Sequence, residues 1–283
     1  NFANDEIAAV VKSLQEFCRN NTDYAEQLAK IGVATKQVDG FHMFDYEMIG
    51  TDWTHPYPWI CRGLVLNSDF NLVCFGLMKF WNDGESNAQQ LDGPLTFFTK
   101  LDGTCLNRWW SEQEQTWRYS TRYNMGPGLV TKMHPMSSMT WDKLIEQAFD
   151  NIVVDQPKHE TWTFELCSQY NQIVVDYPEP KVWLLAIRDL NTMAERDISQ
   201  YEIACPTNDI DSIVNAGQYV QTYSGLKFEG VVVRDQHFKR LKIKNPQYVW
   251  YHHMRSSTSS WKSMVNLSRT GNLEAFCVSF PTY

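Results

Sequence analysis

Residues 95–103 read Leu95-Thr96-Phe97-Phe98-Thr99-Lys100-Leu101-Asp102-Gly103. The apolar and aromatic run predicts a strand, and the Asp-Gly pair behind it predicts a turn. Lys100 then stands where a strand enters a turn, which describes an ordinary surface lysine as well as a functional one. Two later segments bear on the choice. In Glu229-Gly230-Val231-Val232-Val233 an acid opens a run of β-branched residues. In Arg240-Leu241-Lys242-Ile243-Lys244, strand alternation puts Leu241 and Ile243 on one face and the three cations on the other. Those cations read either as a charged edge that discourages aggregation or as the wall of a phosphate pocket. Local charge favours the pocket. Between Lys227 and Lys244 lie six cations and two acids, in a chain whose net charge is -8. Such focusing is what a polyanion cleft requires.

Outward from this stretch, Ile7, Val10, Val11, Leu14, Phe17 and Cys18 recur at helical spacing, with Asp5 and Glu6 where a helix dipole favours acids, and predict a helix over 5–19. From Phe41 to Arg122 short β-type runs follow: 41–48, 63–66, 72–78, 96–101 and 117–121, punctuated by Asn, Asp, Gly and Pro. They predict a mainly antiparallel β region. Thr140 is placed to cap a helix carrying Trp141, Leu144, Ile145, Ala148 and Phe149. Strands are expected at 161–167, 173–177, 182–190, 229–234 and 240–244, a helix at 209–219, and a helical tail after Pro246. Arg255-Ser256-Ser257-Thr258-Ser259-Ser260 is the best linker candidate. It divides the chain into 1–254 and a short helical appendage, 255–283.

With 283 residues, 43% hydrophobic, 20% charged and only 14 Gly and 11 Pro, the chain is neither disordered nor collagenous and is long enough for a core without covalent staples. Its acidic balance argues against coating nucleic acid or anionic membrane through bulk charge. Seven cysteines with no C-x-x-C spacing predict reduced, mostly buried thiols. No apolar run approaches the ~18 residues of a membrane span, so a soluble cytoplasmic protein is expected. His252-His253 lacks zinc-site partners and spacing and reads as solvated or packed histidines. Trp109-Trp110 and Trp117 are candidates for stacking RNA bases, although alternation in a strand would bury at least one of the adjacent pair.

Taken in order, these segments resemble the covalent nucleotidyltransferases, the ATP-dependent polynucleotide ligases and capping enzymes, whose collinear motifs include K-x-D-G, an E-G strand and a K-x-K strand. The narrower likeness is to the type 1, tRNA-repair RNA ligases of T-even-like phages. Arg62-Gly63-Leu64-Val65-Leu66 resembles that family's R-G strand, and Lys79-Phe80-Trp81-Asn82 its K-F-F-N element. Thr163-Phe164-Glu165-Leu166 followed by Asn171-Gln172-Ile173-Val174 resembles its F-E and N-x-I-V strands. The likeness runs from Arg62 to Tyr251.

The resemblance implies an α+β nucleotidyltransferase core, two antiparallel sheets flanking an ATP cleft, with a short helical C-terminal tail. It implies that Lys100 becomes AMP-bound, that Lys242 and Lys244 hold the α-phosphate, that Arg62 and Lys79 contact nucleotide phosphates, and that Glu165 holds the ribose. Asp102 and Glu229 are the acids expected at Mg²⁺, or Mn²⁺, directly or through water. Chemistry adds a requirement: a lysine attacks only when unprotonated, so cations at Lys79, Lys242 and Lys244 are expected to lower the Lys100 pKa. Phe164 or Trp183 is the candidate for adenine stacking. The expected activity is ATP-dependent joining of RNA 3′-hydroxyl and 5′-phosphate ends by a monomer, in RNA or tRNA repair, with a DNA ligase or a catalytically inactive nucleotide-binding relative as alternatives. Cys105 stands where capping enzymes carry arginine, which disfavours guanylyl transfer. The chain ends at Tyr283, shortly after the last matching segment, so it is expected either to do without the all-helical C-terminal domain of the tRNA-repair ligases or to be truncated.

Overall fold

The structure is a computed structural model that describes residues 3–125 and 138–257 and the single positions 265, 268, 269 and 277. It opens with α1 (Asn4–Asn20) and α2 (Tyr24–Ala29). Strands β1 (Val33–Val38) and β2 (Phe41–Tyr46) follow, then α3 (Tyr57–Ile60), β3 (Arg62–Leu66), β4 (Leu72–Cys74), β5 (Trp81–Asn82) and β6 (Thr96–Lys100). Next come β7 (Thr104–Ser111), β8 (Thr116–Ser120), α4 (Trp141–Ala148), β9 (Glu160–Cys167), β10 (Lys181–Asp189), β11 (Glu195–Arg196) and β12 (Thr207–Asn208). The described part closes with α5 (Ile213–Gln221), β13 (Gly230–Arg234), β14 (Arg240–Lys244) and α6 (Pro246–Ser257).

The α+β class is as expected, but the strands form three sheets where two were expected. Two five-stranded sheets, ordered β11-β10-β9-β7-β8 and β12-β6-β13-β14-β5, carry the K-x-D-G, F-E, E-G and K-x-K segments. The third sheet, β1-β2-β3-β4, is N-terminal. It is sandwiched by apolar contacts: α1 lays Ile7, Val11, Leu14 and Cys18 on one face around Phe44 and Leu64, while Phe41, Met43, Val65 and Cys74 meet Trp109 of β7 on the other. Leu106, Phe164, Leu166, Val182 and Leu184 form a core under Leu144 and Ala148 of α4. Phe97, Val231 and Val233 bury the back of the sheet that bears Lys100 against Ala216 and Val220 of α5. The opposite face of that sheet is left for polar groups.

Local signals placed most elements within a few residues. Thr140 caps α4 by accepting a hydrogen bond from the Lys143 N–H at 3.4 Å. Ser212 does the same for α5 through the Asn215 N–H at 3.2 Å. Strand β1 was not expected, because its Val-Ala-Thr-Lys-Gln-Val sequence offers little apolar alternation and the strand forms by pairing with β2. Strand β7 was also missed, since Asn107 and Arg108 interrupt its apolar run. The strand expected at 173–177 does not form. The Val174 and Val175 N–H groups donate to the Asp102 carboxylate, which takes the place of a strand partner. The linker expected at 255–260 begins inside α6: residues 255–257 are helical, and buried Arg255 donates to the Ile173 carbonyl. Its remainder and most of the 255–283 appendage lie outside the described residues. All seven cysteines are free thiols, and no helix among the described residues is long and apolar enough to cross a membrane.

Candidate active site

Register fixes the site. Across β6, β13 and β14, Lys100, Gly230 and Lys244 lie opposite one another, and two residues further on Phe98, Val232 and Lys242 form a parallel row on the same face. Gly230 is required here: its φ is +149°, and an added Cβ would stand 2.2 Å from the Ile243 carbonyl oxygen and 2.9 Å from the Lys244 Cα. With no side chain between them, both lysines reach the carboxylate of Glu229, which immediately precedes β13. Lys100 Nζ lies 2.8 Å and Lys244 Nζ 3.3 Å from Glu229 Oε1. Glu229 is 3% exposed, so the bridge operates in a medium where charges interact strongly.

The turn after β6 is held by two acids. Gly103 donates its N–H to Glu165 Oε1 at 3.1 Å, and it approaches β9 so closely that a Cβ would lie 2.3 Å from the Leu166 carbonyl oxygen. Asp102 is almost wholly buried. Its Oδ2 accepts from the Val174 and Val175 N–H groups at 2.8 and 2.7 Å, and its Oδ1 accepts from the Tyr248 hydroxyl at 2.5 Å. Its own N–H donates to the Tyr177 hydroxyl. Asn171 completes the loop by donating to Thr104 Oγ1 and the Leu166 carbonyl, both at 2.8 Å. Both Asp102 oxygens are thus engaged by donors of the chain itself, so that here the carboxylate clasps the loop at 172–176 and Tyr248 to the turn after β6. Among the described residues no three His, Cys, Asp or Glu side chains converge as a metal site.

The electrostatics also differ from expectation. Burial works to lower the Lys100 pKa, yet Glu229, Glu165 and Asp102 outweigh it and hold the ammonium above its usual range. The depressed lysine is Lys242, brought down to about 7 by burial and then by Lys79, Lys100 and Lys244. The cations expected to lower Lys100 therefore act on their own neighbour, because the carboxylate at 2.8 Å dominates the field at Lys100. Glu165 is pushed up to about 7, chiefly by burial, against the pull of Lys100.

Beside Lys100 lies a cavity of about 80 Å³, lined by Arg62, Phe80, Phe98, Cys105, Glu165 and Val232 among others. A model of a family described as RNA ligase matches residues 60–248, from the strand bearing Arg62 to the helix bearing Tyr248. The chain belongs to the RNA ligase family. In fold it is similar to an archaeal ATP-dependent RNA ligase solved in two forms, with TM-scores of 0.56 and 0.53 at 13% and 12% identity. Each alignment covers 87% of this chain and 66% of the archaeal one, so the chain spans just under two thirds of that protein's length. A candidate ATP-dependent DNA ligase from Aquifex aeolicus is similar at TM-score 0.50 and 14% identity, over 90% of this chain and 71% of that one. At these identities the likeness is one of fold. No curated protein matches the sequence.

In this member of the family the other expected residues divide. Arg62 reaches the cavity and donates to Cys105 Sγ at 3.5 Å. Lys79 sits in a cage of rings, its Nζ 4.3 Å from the Trp81 centroid, 5.0 Å from Tyr46 and 5.7 Å from Trp53. Phe164 is fully buried under α4, and Trp183 packs on Tyr177 in a cluster with Leu101 and Cys205, which line the cavity where Trp183 itself does not. The rings that line the cavity are Phe80 and Phe98, which the sequence reading passed over although each adjoins or belongs to a recognised segment. Tyr248 and Cys105 were likewise not singled out for a role. Arg240 turns to Glu195 at 2.6 Å and Arg234 to Asp197 at 3.1 Å, so two of the six local cations are neutralised within the fold. Trp109 is core, while half-buried Trp110 and Trp117 pack edge to face under Lys158 and Arg108.

Proposed function

We propose that this RNA ligase joins RNA 3′-hydroxyl and 5′-phosphate ends with ATP, through a lysyl-AMP enzyme and an adenylylated RNA, in RNA or tRNA repair in the cytoplasm, as the phage-type resemblance implies. The observation that carries the reading is the convergence of Lys100 and Lys244 on Glu229 beside a cavity edged by Arg62, Phe80 and Phe98. Adenine would lie between apolar groups of that cavity, with Glu165 within reach of the ribose and Arg62 of phosphate. The Lys100 ammonium first gives up a proton, for which Glu229 is the acceptor in contact. Its lone pair then attacks the α-phosphorus as the bond to pyrophosphate breaks. Lys242 and Lys244 lie on the same sheet face and offset the charge that grows on the phosphate oxygens, the main work a protein does in phosphoryl transfer. In the second step an RNA 5′-phosphate oxygen bonds to the AMP phosphorus and Lys100 leaves. In the third a 3′-hydroxyl attacks the adenylylated end and AMP is released.

The donor set fits Mg²⁺ or Mn²⁺ in one manner. A hard ion that keeps several waters needs only one or two carboxylates plus substrate phosphates, and Glu229 is the carboxylate placed to supply that contact. When bound, the ion would neutralise the departing pyrophosphate and compete with Lys100 for Glu229.

Incubation with ATP and Mg²⁺ should raise the intact mass by one AMP, and Lys100→Ala should abolish the adduct while still sealing RNA supplied already adenylylated. RNA and DNA ends tested in parallel separate the two ligase classes. An adduct that persists in Lys100→Ala would place the nucleophile elsewhere.

A further inference from the structure

Glu229 stands between two cavities. Lys100, on one side, lines the small cavity described above; Lys244, on the other, lines a larger one of about 410 Å³ between the β5–β14 edge and α6. The walls of the larger cavity carry Lys242, Lys244, His252 and His253, with Asp83 as the acid among its lining residues. The two imidazoles come from adjacent positions of α6, about 100° apart around its axis, and both line the cavity. Tyr248 and His252 are one helical turn apart, their rings stacked at 6.0 Å and 30°, and Val249 and His253 follow one position on. Tyr248 is itself tied to Asp102, so this part of α6 is fixed relative to the K-x-D-G turn. Burial and then the Lys244 ammonium hold His252 below its usual range, which places the imidazole within the field of that lysine.

Two lysines and two imidazoles around a space too large for a single ion suit a phosphate group that brings further atoms with it. We infer that this cavity is a phosphate subsite in which His252 and His253 join Lys242 and Lys244 to bind the 5′-phosphate of the RNA end before it takes AMP from Lys100. The inference rests on the adenylyl-transfer reading for its place in the reaction. Pyrophosphate shares the same chemistry, since it also bonds to the AMP phosphorus in exchange with the lysine. The size of the cavity favours the RNA end, which carries a nucleoside behind its phosphate.

The test is equilibrium binding, which needs no turnover. A short single-stranded RNA bearing a 5′-phosphate and the same RNA bearing a 5′-hydroxyl are titrated against the wild type, His252→Ala/His253→Ala and His252→Glu/His253→Glu. The wild type should favour the 5′-phosphate by about tenfold, equivalent to ~1.4 kcal/mol. The alanine pair should lose most of that preference, and the glutamate pair should reverse it by repulsion. Neither histidine belongs to the buried core, and reversal of the preference in the glutamate pair, which only a folded protein can show, separates loss of the site from loss of fold. A preference that survives in both variants overturns the proposal. Pyrophosphate binding that weakens in the variants with no 5′-phosphate preference in the wild type also overturns it and assigns the cavity to pyrophosphate. Failure of the wild type to form an AMP adduct would instead count against the adenylyl-transfer reading and leaves this binding test unaffected.

Discussion

Lys242 shows how a single residue trades stability for function. Its side chain is half-buried among Lys79, Lys100 and Lys244, and its pKa falls from 10.5 to about 7. Between those values the unfolded chain binds more protons at this position than the folded one, so the folded state gains stability as pH rises through the window. The cost of holding the charge is therefore full below pH 7 and fades toward pH 10.5. Replacing Lys242 with Met keeps the volume and removes the charge. The variant should be more stable than the wild type by about 1–3 kcal/mol at pH 6, with the gap closing in alkaline solution. It should also form lysyl-AMP more slowly. Urea unfolding at several pH values measures the first effect and intact mass over time the second; a variant less stable at pH 6 would mean that Lys242 is held by favourable contacts.

At the level of elements, the Asp102 carboxylate joins three pieces that are distant in sequence: the end of β6, the loop at 172–176 and α6. Burial and then Glu229 push its pKa up against those three hydrogen bonds, and the Tyr248 hydroxyl is pushed well above its usual range by burial first. Removing the carboxylate strands two backbone N–H groups and a tyrosine hydroxyl inside the protein. Asp102→Ala should then cost about 3 kcal/mol or more, and Tyr248→Phe about 1 kcal/mol, since the second change leaves Asp102 its backbone donors. Both are read from urea midpoints at unchanged slope. An Asp102→Ala variant as stable as the wild type would mean that the clasp does not hold these three pieces together. The failed strand prediction at 173–177 has the same origin. Val174 and Val175 carry strand propensity, but their N–H groups are claimed by a carboxylate 72 and 73 positions away, which no local window of sequence contains.

For the whole molecule, six arginines among the described residues are paired with acids within the fold. Arg122 pairs with Asp45, Arg188 and Arg240 with Glu195, Arg196 with Glu160, Arg234 with Asp197 and Arg118 with Glu114. Among the described residues the cations left around the cleft are few: Arg62, Lys242 and Lys244, the last shared with Glu229, with Lys79 near enough to act on Lys242. Three or four phosphate contacts on a single strand correspond to a slope of about -2 to -3 in a plot of log affinity against log salt. Titration of a 5′-phosphorylated oligonucleotide from low to physiological salt measures it. A slope steeper than about -6 would mean that an extended basic surface, outside the cleft, grips the RNA.

The class of fold, the order of the motif-bearing segments and the lysines brought near one another were legible in the sequence. Those properties follow from local chemistry: the β-branched run after Glu229, the alternation in Arg240 to Lys244 and the Asp-Gly turn after Lys100 each act within a few residues. What each charge touches is set by packing. Which carboxylate touches Lys100, whether Arg240 turns to Glu195, and which backbone groups Asp102 binds depend on pairs far apart in sequence and a few ångströms apart in space. Electrostatic energy at such sites falls with distance and rises with burial, and neither quantity exists until the sheets have packed.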